Sequence, residues 1–200
     1  MKNKYSQLIK GLTDKELLFH LYTTQVLLLI VSLLLGIVLF DSLGQFLGLF
    51  KWDDPAILMV GLAAGIAVVL ADLLLMKILP PDLYDDGGLN EKIFRNRTVP
   101  EVAFIALFVA FGEEILFRGV IQTSFGLIVS SVIFALVHYR YLFKWFLFLN
   151  IMVLSFFIGF IYLKTENLAV TVTMHFLIDF LLGISICLKK TGKQEGMFNE

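Results

Sequence analysis

Long apolar runs separated by short polar stretches set the pattern of this chain. Six runs, near residues 19–40, 56–79, 99–119, 124–138, 145–163 and 167–188, predict helices. About 20 apolar residues in an α-helix cover the roughly 30 Å of a hydrocarbon core. The fourth run is the shortest of the six. Just ahead of the first, Thr13 and Glu16 in "TDKE" stand at the spacing of a capping box, so an interfacial helical turn leads into the span. Between the second and third runs lies "PPDLYDDGGLNEKIFRNRTVP", whose prolines and paired glycines predict a surface connection with a short amphipathic helix. There is no internal repeat. The pattern predicts an all-α, polytopic membrane helix bundle forming one structural domain.

Composition agrees with that reading. Apolar residues make up 58% of the 200 positions and charged residues 16%, with a mean hydropathy of +0.87. A soluble domain of this length needs far more polar surface. The net charge of −1 gives no reason to expect a nucleic-acid partner, and one cysteine, Cys187, excludes an internal disulfide. The first 20 residues lack a short apolar core followed by a small-residue cleavage site, so no removable signal peptide is expected. Basic residues are unevenly shared between the connections. One side would hold Lys2, Lys4, Lys10, Lys15, Lys77, Lys92, Arg95, Arg97, Arg140, Lys144, Lys189, Lys190 and Lys193, the other only Lys51 and Lys164. That asymmetry predicts six spans in a plasma membrane with both termini cytoplasmic.

The chemistry lies in the residues that do not suit lipid: Asp72, Glu113, Glu114, Arg118, His138, His175 and Asp179. A charge at the centre of a span costs about 2.5–3.5 kcal/mol, against about −0.3 to −0.6 for each Leu, Ile, Phe or Val. The third span carries three charges worth roughly 8–10 kcal/mol against an apolar contribution of roughly −3 to −6. Its polar face must therefore meet other polar groups or a water-filled cavity. Helical spacing puts Glu114 and Arg118 on one face at i,i+4, and Glu113 about 100° around from Glu114. His175 and Asp179 share a face, as do Phe134 and His138. Taken singly, Glu114 with Arg118 is as readily a structural ion pair as a functional one. His138 alone is an interfacial residue beside Tyr139 and Arg140, and His175 with Asp179 a satisfied buried hydrogen bond. Their coincidence on three spans exceeds what a packing interface carries and predicts one shared site. Asp72 reads as a snorkelling residue or helix glue, and His20 as interfacial and inert.

Three short patterns then come into view: "EEILFR" at 113–118, "FALVH" at 134–138 and "HFLID" at 175–179. In this order, each on an apolar helix, they resemble the EExxxR, FxxxH and HxxxN/D motifs of the CPBP family. Those are intramembrane proteases related to the type II CAAX prenyl endopeptidases and to bacteriocin-processing and immunity proteins. The resemblance divides the chain into an N-terminal part (1–98, with two spans and a cytoplasmic loop), a motif-bearing core of four spans (99–188) and a cytoplasmic tail (189–200). It implies a bacterial membrane endopeptidase acting on a membrane-presented peptide or protein tail, with Glu113, His138, His175 and Asp179 catalytic. Glu114 and Arg118 complete the first motif in a supporting role. Asp179 stands where the eukaryotic enzymes commonly carry asparagine.

That set suits peptide hydrolysis, which needs an activated water, a stabiliser for the developing oxyanion and a proton donor for the leaving amine. Glu113 assisted by His138 would deprotonate water, and His175 with Asp179 would polarise the scissile carbonyl. Two histidines and a carboxylate (His138, His175, Glu113) also form a legitimate zinc set, although no HExxH is present; the reading favours metal-free chemistry and leaves zinc open. Two other classes compete: a non-catalytic scaffold or immunity module that keeps the protease fold, and a proton-coupled carrier. The lack of two matching halves with broken helices argues against the carrier. The motifs also impose a geometric demand. For His138 to reach Glu113, the third helix must run on to about residue 125 and the fourth must be short, tilted or re-entrant.

Overall fold

The computed structural model describes residues 11–142 and 144–197, with side chains as far as Leu188. Lys2, Lys4 and Lys10, the side chains of Lys189, Lys190 and Lys193, and the end of the tail lie outside the described residues. The chain begins with helix α1 (Asp14–Leu39), which starts ahead of the apolar run. The reason is the capping box: Thr13 Oγ1 accepts from the Glu16 amide at 3.2 Å while the Glu16 carboxylate accepts from the Thr13 amide at 2.7 Å. A short α2 (Leu43–Leu47) follows on the far face. A π-helical turn (Ile57–Leu62) then opens the second span, which continues as α3 (Ala63–Ile78). The polar connection 79–98 holds two short helices, α4 (Pro81–Tyr84) and α5 (Leu89–Phe94).

The third span is where prediction and structure differ usefully. Helix α6 (Val99–Glu114) opens on a second capping box, Thr98 with Glu101. It passes at the first motif into a wider π-helical segment, Ile115–Gln122, and then into α7 (Thr123–Val137). The predicted end at 119 is overrun, and the break falls at Gly126, whose φ of 86° and ψ of 170° belong to no helix. After it the chain folds back on itself. Ser130 Oγ donates to the Phe117 carbonyl at 2.6 Å, the Phe117 and Phe134 rings meet edge-on at 4.9 Å, and the Arg118 guanidinium lies 4.6 Å over the Phe134 ring. The return helix, 127–137, covers only about 16 Å of depth. It ends well inside the bundle, and a 3-10 turn (Tyr139–Tyr141) carries the chain out to Lys144, which pairs with Asp85. His138 thus returns to the level of the first motif, as the motifs require.

Two long helices complete the bundle, α8 (Trp145–Thr165) and α9 (Leu168–Met197). The last span therefore continues as helix past its predicted end at 188. Among the described residues five helical stretches are long and apolar enough to cross a membrane, the one from Val99 to Val137 containing the reversal at Gly126. The start of the first span and the last turns of the last one sit beside the 79–98 connection, since Lys92 Nζ donates to the Leu12 carbonyl and Cys187 Sγ to the Arg97 carbonyl. On the opposite face Asn167, wholly buried, ties the start of α9 to residues 51–54 through Lys51 and Asp54.

Helix α9 is the core of the bundle, burying Ala169, Val170, Met174 and Ile178. Helix α3 packs closely on it because Gly61 and Gly65 have no side chains: a Cβ at Gly61 would lie 2.9 Å from the Val170 carbonyl oxygen. The outer faces of α1, α3 and α8 expose leucine, isoleucine and valine, as lipid contact demands. This is an integral membrane protein.

Candidate active site

The transition from α-helix to π-helix at Glu114 and Ile115 falls inside the EExxxR motif. All residues from Gly112 to Gln122 are buried, and a π turn widens the helix locally, a device common at functional sites. Its loosened carbonyls find other donors: Thr123 Oγ1 reaches the Arg118 carbonyl at 3.1 Å, and Ser130 serves that of Phe117.

Glu114 and Arg118 form the buried pair that the spacing predicts, with Arg118 Nη1 at 3.2 Å from Glu114 Oε1. Both side chains are buried, Glu114 at 0% and Arg118 at 1% exposure. Arg118 also donates through Nη2 to Ser155 of α8, at 3.1 Å to its carbonyl and 3.2 Å to its hydroxyl. The same Glu114 oxygen accepts from His175 Nδ1 at 2.8 Å. This bond fixes the ring. With Nδ1 committed to Glu114, Nε2 is the nitrogen turned towards Glu113 Oε2 at 4.0 Å and Asp179 Oδ2 at 3.6 Å.

His138 comes from the other side. Its Nδ1 donates to the Phe134 carbonyl at 2.8 Å, the donor role following from the carbonyl's being an acceptor only. The ring lies between Phe134 and Tyr141, parallel to the latter within 3°. Glu113, His138, His175 and Asp179 all line one cavity of about 690 Å³. Its wall continues through Arg140 and through one face of α1, where Leu17, Leu21, Gln25 and Leu28 recur at helical spacing. The cavity reaches the face that carries the 79–98 connection, where Asn90 lines it. His20, read from sequence as inert, belongs to this lining too.

Among the described residues no three His, Cys, Asp or Glu side chains are gathered so as to ligate one ion. In each histidine Nδ1 is bonded, to the Phe134 carbonyl in His138 and to Glu114 in His175, which leaves Nε2 as the nitrogen open to the cavity.

Two polar residues near the site escaped the sequence reading. Gln25 of α1, only 5% exposed, donates through Nε2 to Glu113 Oε1 at 3.4 Å, and Ser155 of α8 receives Arg118. Ser155 is a lone uncharged polar residue in an apolar run, and Gln25 follows Thr23 and Thr24 at the start of one. Asp72 lies away from this site and meets Asn150 of α8 at 3.4 Å, in keeping with its reading as helix glue.

Comparison with known proteins points to a family. The sequence model of the type II CAAX prenyl endopeptidase Rce1-like family matches residues 95–181, which include all three motifs. The protein YpbD of Bacillus subtilis (strain 168) is 43% identical over 163 residues, covering 82% of this chain and 86% of that relative. No solved structure matches the chain. Fold and site together define a polytopic membrane protein of the CAAX protease class. The chain belongs to the Rce1-like family of type II CAAX prenyl endopeptidases, and that membership implies a protease.

Proposed function

We propose that this protein is an intramembrane endopeptidase that hydrolyses a peptide bond in a peptide or protein tail presented at the membrane, using water activated by Glu113. The observation that supports this most directly is the convergence of Glu113, His138, His175 and Asp179, from three separate helices, on a single cavity. With both termini cytoplasmic, the mouth of that cavity faces the cytoplasm, so a tail would enter from that side while its membrane-bound part stays in lipid.

The chemistry follows from the positions. A water between Glu113 and His138 gives up a proton to the Glu113 carboxylate as its oxygen bonds to the scissile carbonyl carbon. Negative charge then develops on the carbonyl oxygen. His175, carrying a proton on each ring nitrogen so that Nδ1 donates to Glu114 and Nε2 faces the cavity beside Asp179, polarises that oxygen through Nε2–H. Collapse of the tetrahedral intermediate breaks the C–N bond, and the proton held on Glu113 passes to the departing amine. Glu114 and Arg118 touch no substrate in this scheme. They hold the ring of His175 and the π-helical segment in place.

A direct test compares the membrane-peptide pool of cells carrying wild-type protein with that of cells carrying Glu113→Gln. Products with new C-terminal ends should appear with the wild type alone. Identical pools would favour the reading as a non-catalytic scaffold or immunity module.

A further inference from the structure

We infer that Gln25, in the first span and outside the segment matched by the family, is a positioning residue for Glu113. This rests on the hydrolytic reading of the site. Among the described residues Gln25 is the side chain that hydrogen-bonds Glu113, through Nε2 to Oε1 at 3.4 Å. A carboxylate only accepts, so the amide must turn its NH2 towards Glu113. With Oε1 held from the α1 side, Oε2 is the oxygen left towards His175 and the cavity. Glu113 sits just ahead of the π-helical segment, and His175 Nε2 at 4.0 Å is too far from Oε2 to hold the carboxylate by itself.

A second, independent feature makes room for this contact. Position 112, next to Glu113, is glycine, and a Cβ there would lie 2.7 Å from Gln25 Oε1 but at an ordinary 3.6 Å from Gln25 Cβ and the Gln25 carbonyl oxygen. The three atoms nearest to the missing side chain thus all belong to Gln25, and its amide oxygen is the one that comes closest. Helix α1 therefore completes the site as well as walling the cavity. Its buried residues are few, Leu17, Gln25 and Ser32, and one of them is this amide.

Gln25→Met keeps the volume and removes the donor. Assayed in proteoliposomes on a quenched-fluorescence peptide with an S-farnesylated cysteine near a free C-terminus, it should lower kcat roughly ten- to a hundredfold with KM unchanged, the penalty of a misplaced catalytic group. Loss of packing alone would leave kcat per folded molecule as in the wild type. Gly112→Ala should lower kcat similarly, since its Cβ displaces the Gln25 amide. The double variant Gln25→Ala, Gly112→Ala should be no worse than Gln25→Ala, both in kcat and in its unfolding midpoint in detergent. Additive losses would show that the two positions do not share this contact and would overturn the inference. So would wild-type kcat in Gln25→Met, with the hydrolytic reading left standing. A wild-type protein that cleaves neither the probe nor anything in the membrane-peptide pool overturns the hydrolytic reading itself.

Discussion

Glu114 and His175, 61 positions apart, are joined at 2.8 Å across the interface of α6 and α9. The same Glu114 oxygen faces Arg118 at 3.2 Å, so one carboxylate oxygen serves both the first motif and the third. This sharing explains why two adjacent glutamates are needed. Glu114 turns inward to hold Arg118 and the imidazole, and Glu113 is left to face the cavity. The cation that neutralises Glu114 is in turn fixed by Ser155 and by the face of Phe134, the first residue of the second motif. All three motifs therefore meet at Arg118 or one residue from it.

Removing Arg118 should consequently do more than break an ion pair. Arg118→Ala leaves Glu114 buried without its cation, which costs about 3–5 kcal/mol. The expected outcome is low abundance in membranes and a lowered unfolding midpoint in detergent, together with lost activity. Replacing both partners, as in Glu114→Gln with Arg118→Met, should recover part of the stability and none of the activity. Wild-type stability of Arg118→Ala would show that the buried pair does not carry this load.

Much of this was legible in the chain. The cost of charge in lipid forces Glu113, Glu114 and Arg118 to face inward, and i,i+4 spacing gives the 114–118 pair directly. The extension of the third helix and the short return helix followed from the demand that His138 meet Glu113. What stayed hidden has a physical cause. Gln25, Ser155 and Asn150 are uncharged, so the energetic signal that exposes a charge in a span is weak for them. Their partners lie 88, 37 and 78 positions away, in other helices. The π-helical segment was equally silent, because its residues are as apolar as those of an ordinary helix.

The arrangement of spans has its own test. Leu12 and Cys187 both lie beside the 79–98 connection, and the basic residues favour the cytoplasm for that face. In a Cys187→Ser background, single cysteines at Lys51 or Lys164 should react with an impermeant maleimide added to intact cells. Cysteines at Arg95 or Lys77 should react only after permeabilisation. The reverse pattern would invert the molecule in the membrane and put the cavity mouth outside.

The far face should respond to acid through Asp54. The backbone N–H of Ala56 at 2.8 Å, then the Asn167 amide at 3.2 Å, hold its carboxyl below the ordinary carboxylate value. A group lowered on folding contributes stability that is complete above its unfolded pKa, here about 4, and is lost as pH falls through the folded value. The unfolding midpoint of the wild type should therefore drop relative to that of Asp54→Asn as pH goes from about 5 to about 3. Parallel curves would mean that Asp54 contributes nothing in this window. Asn167→Ala should shrink the difference, since it removes the second donor.

Gly126 offers the sharpest test of how the backbone places His138. A side chain there would meet open space, with no atom within 4 Å, so Gly126→Ala creates no clash. Its φ of 86° and ψ of 170° nevertheless lie in a region essentially confined to glycine, at a cost of roughly 1–3 kcal/mol for any other residue. Gly88 makes the control. Its φ of 84° and ψ of 13° fall in the left-handed region that asparagine tolerates, and its surroundings are equally open. Gly88→Asn should therefore unfold close to the wild type and keep its activity. Gly126→Ala should lose stability by the amount above and lose activity more steeply. To relieve the strain the return helix must leave the π-helical segment, which loosens the Ser130 bond to the Phe117 carbonyl and the Phe117–Phe134 contact that hold it there. His138 follows Phe134 through its Nδ1 bond, and its ring then withdraws from the cavity. Protein that unfolds at a lower denaturant concentration yet cleaves at the wild-type rate would break the link drawn here between the glycine break and the position of His138.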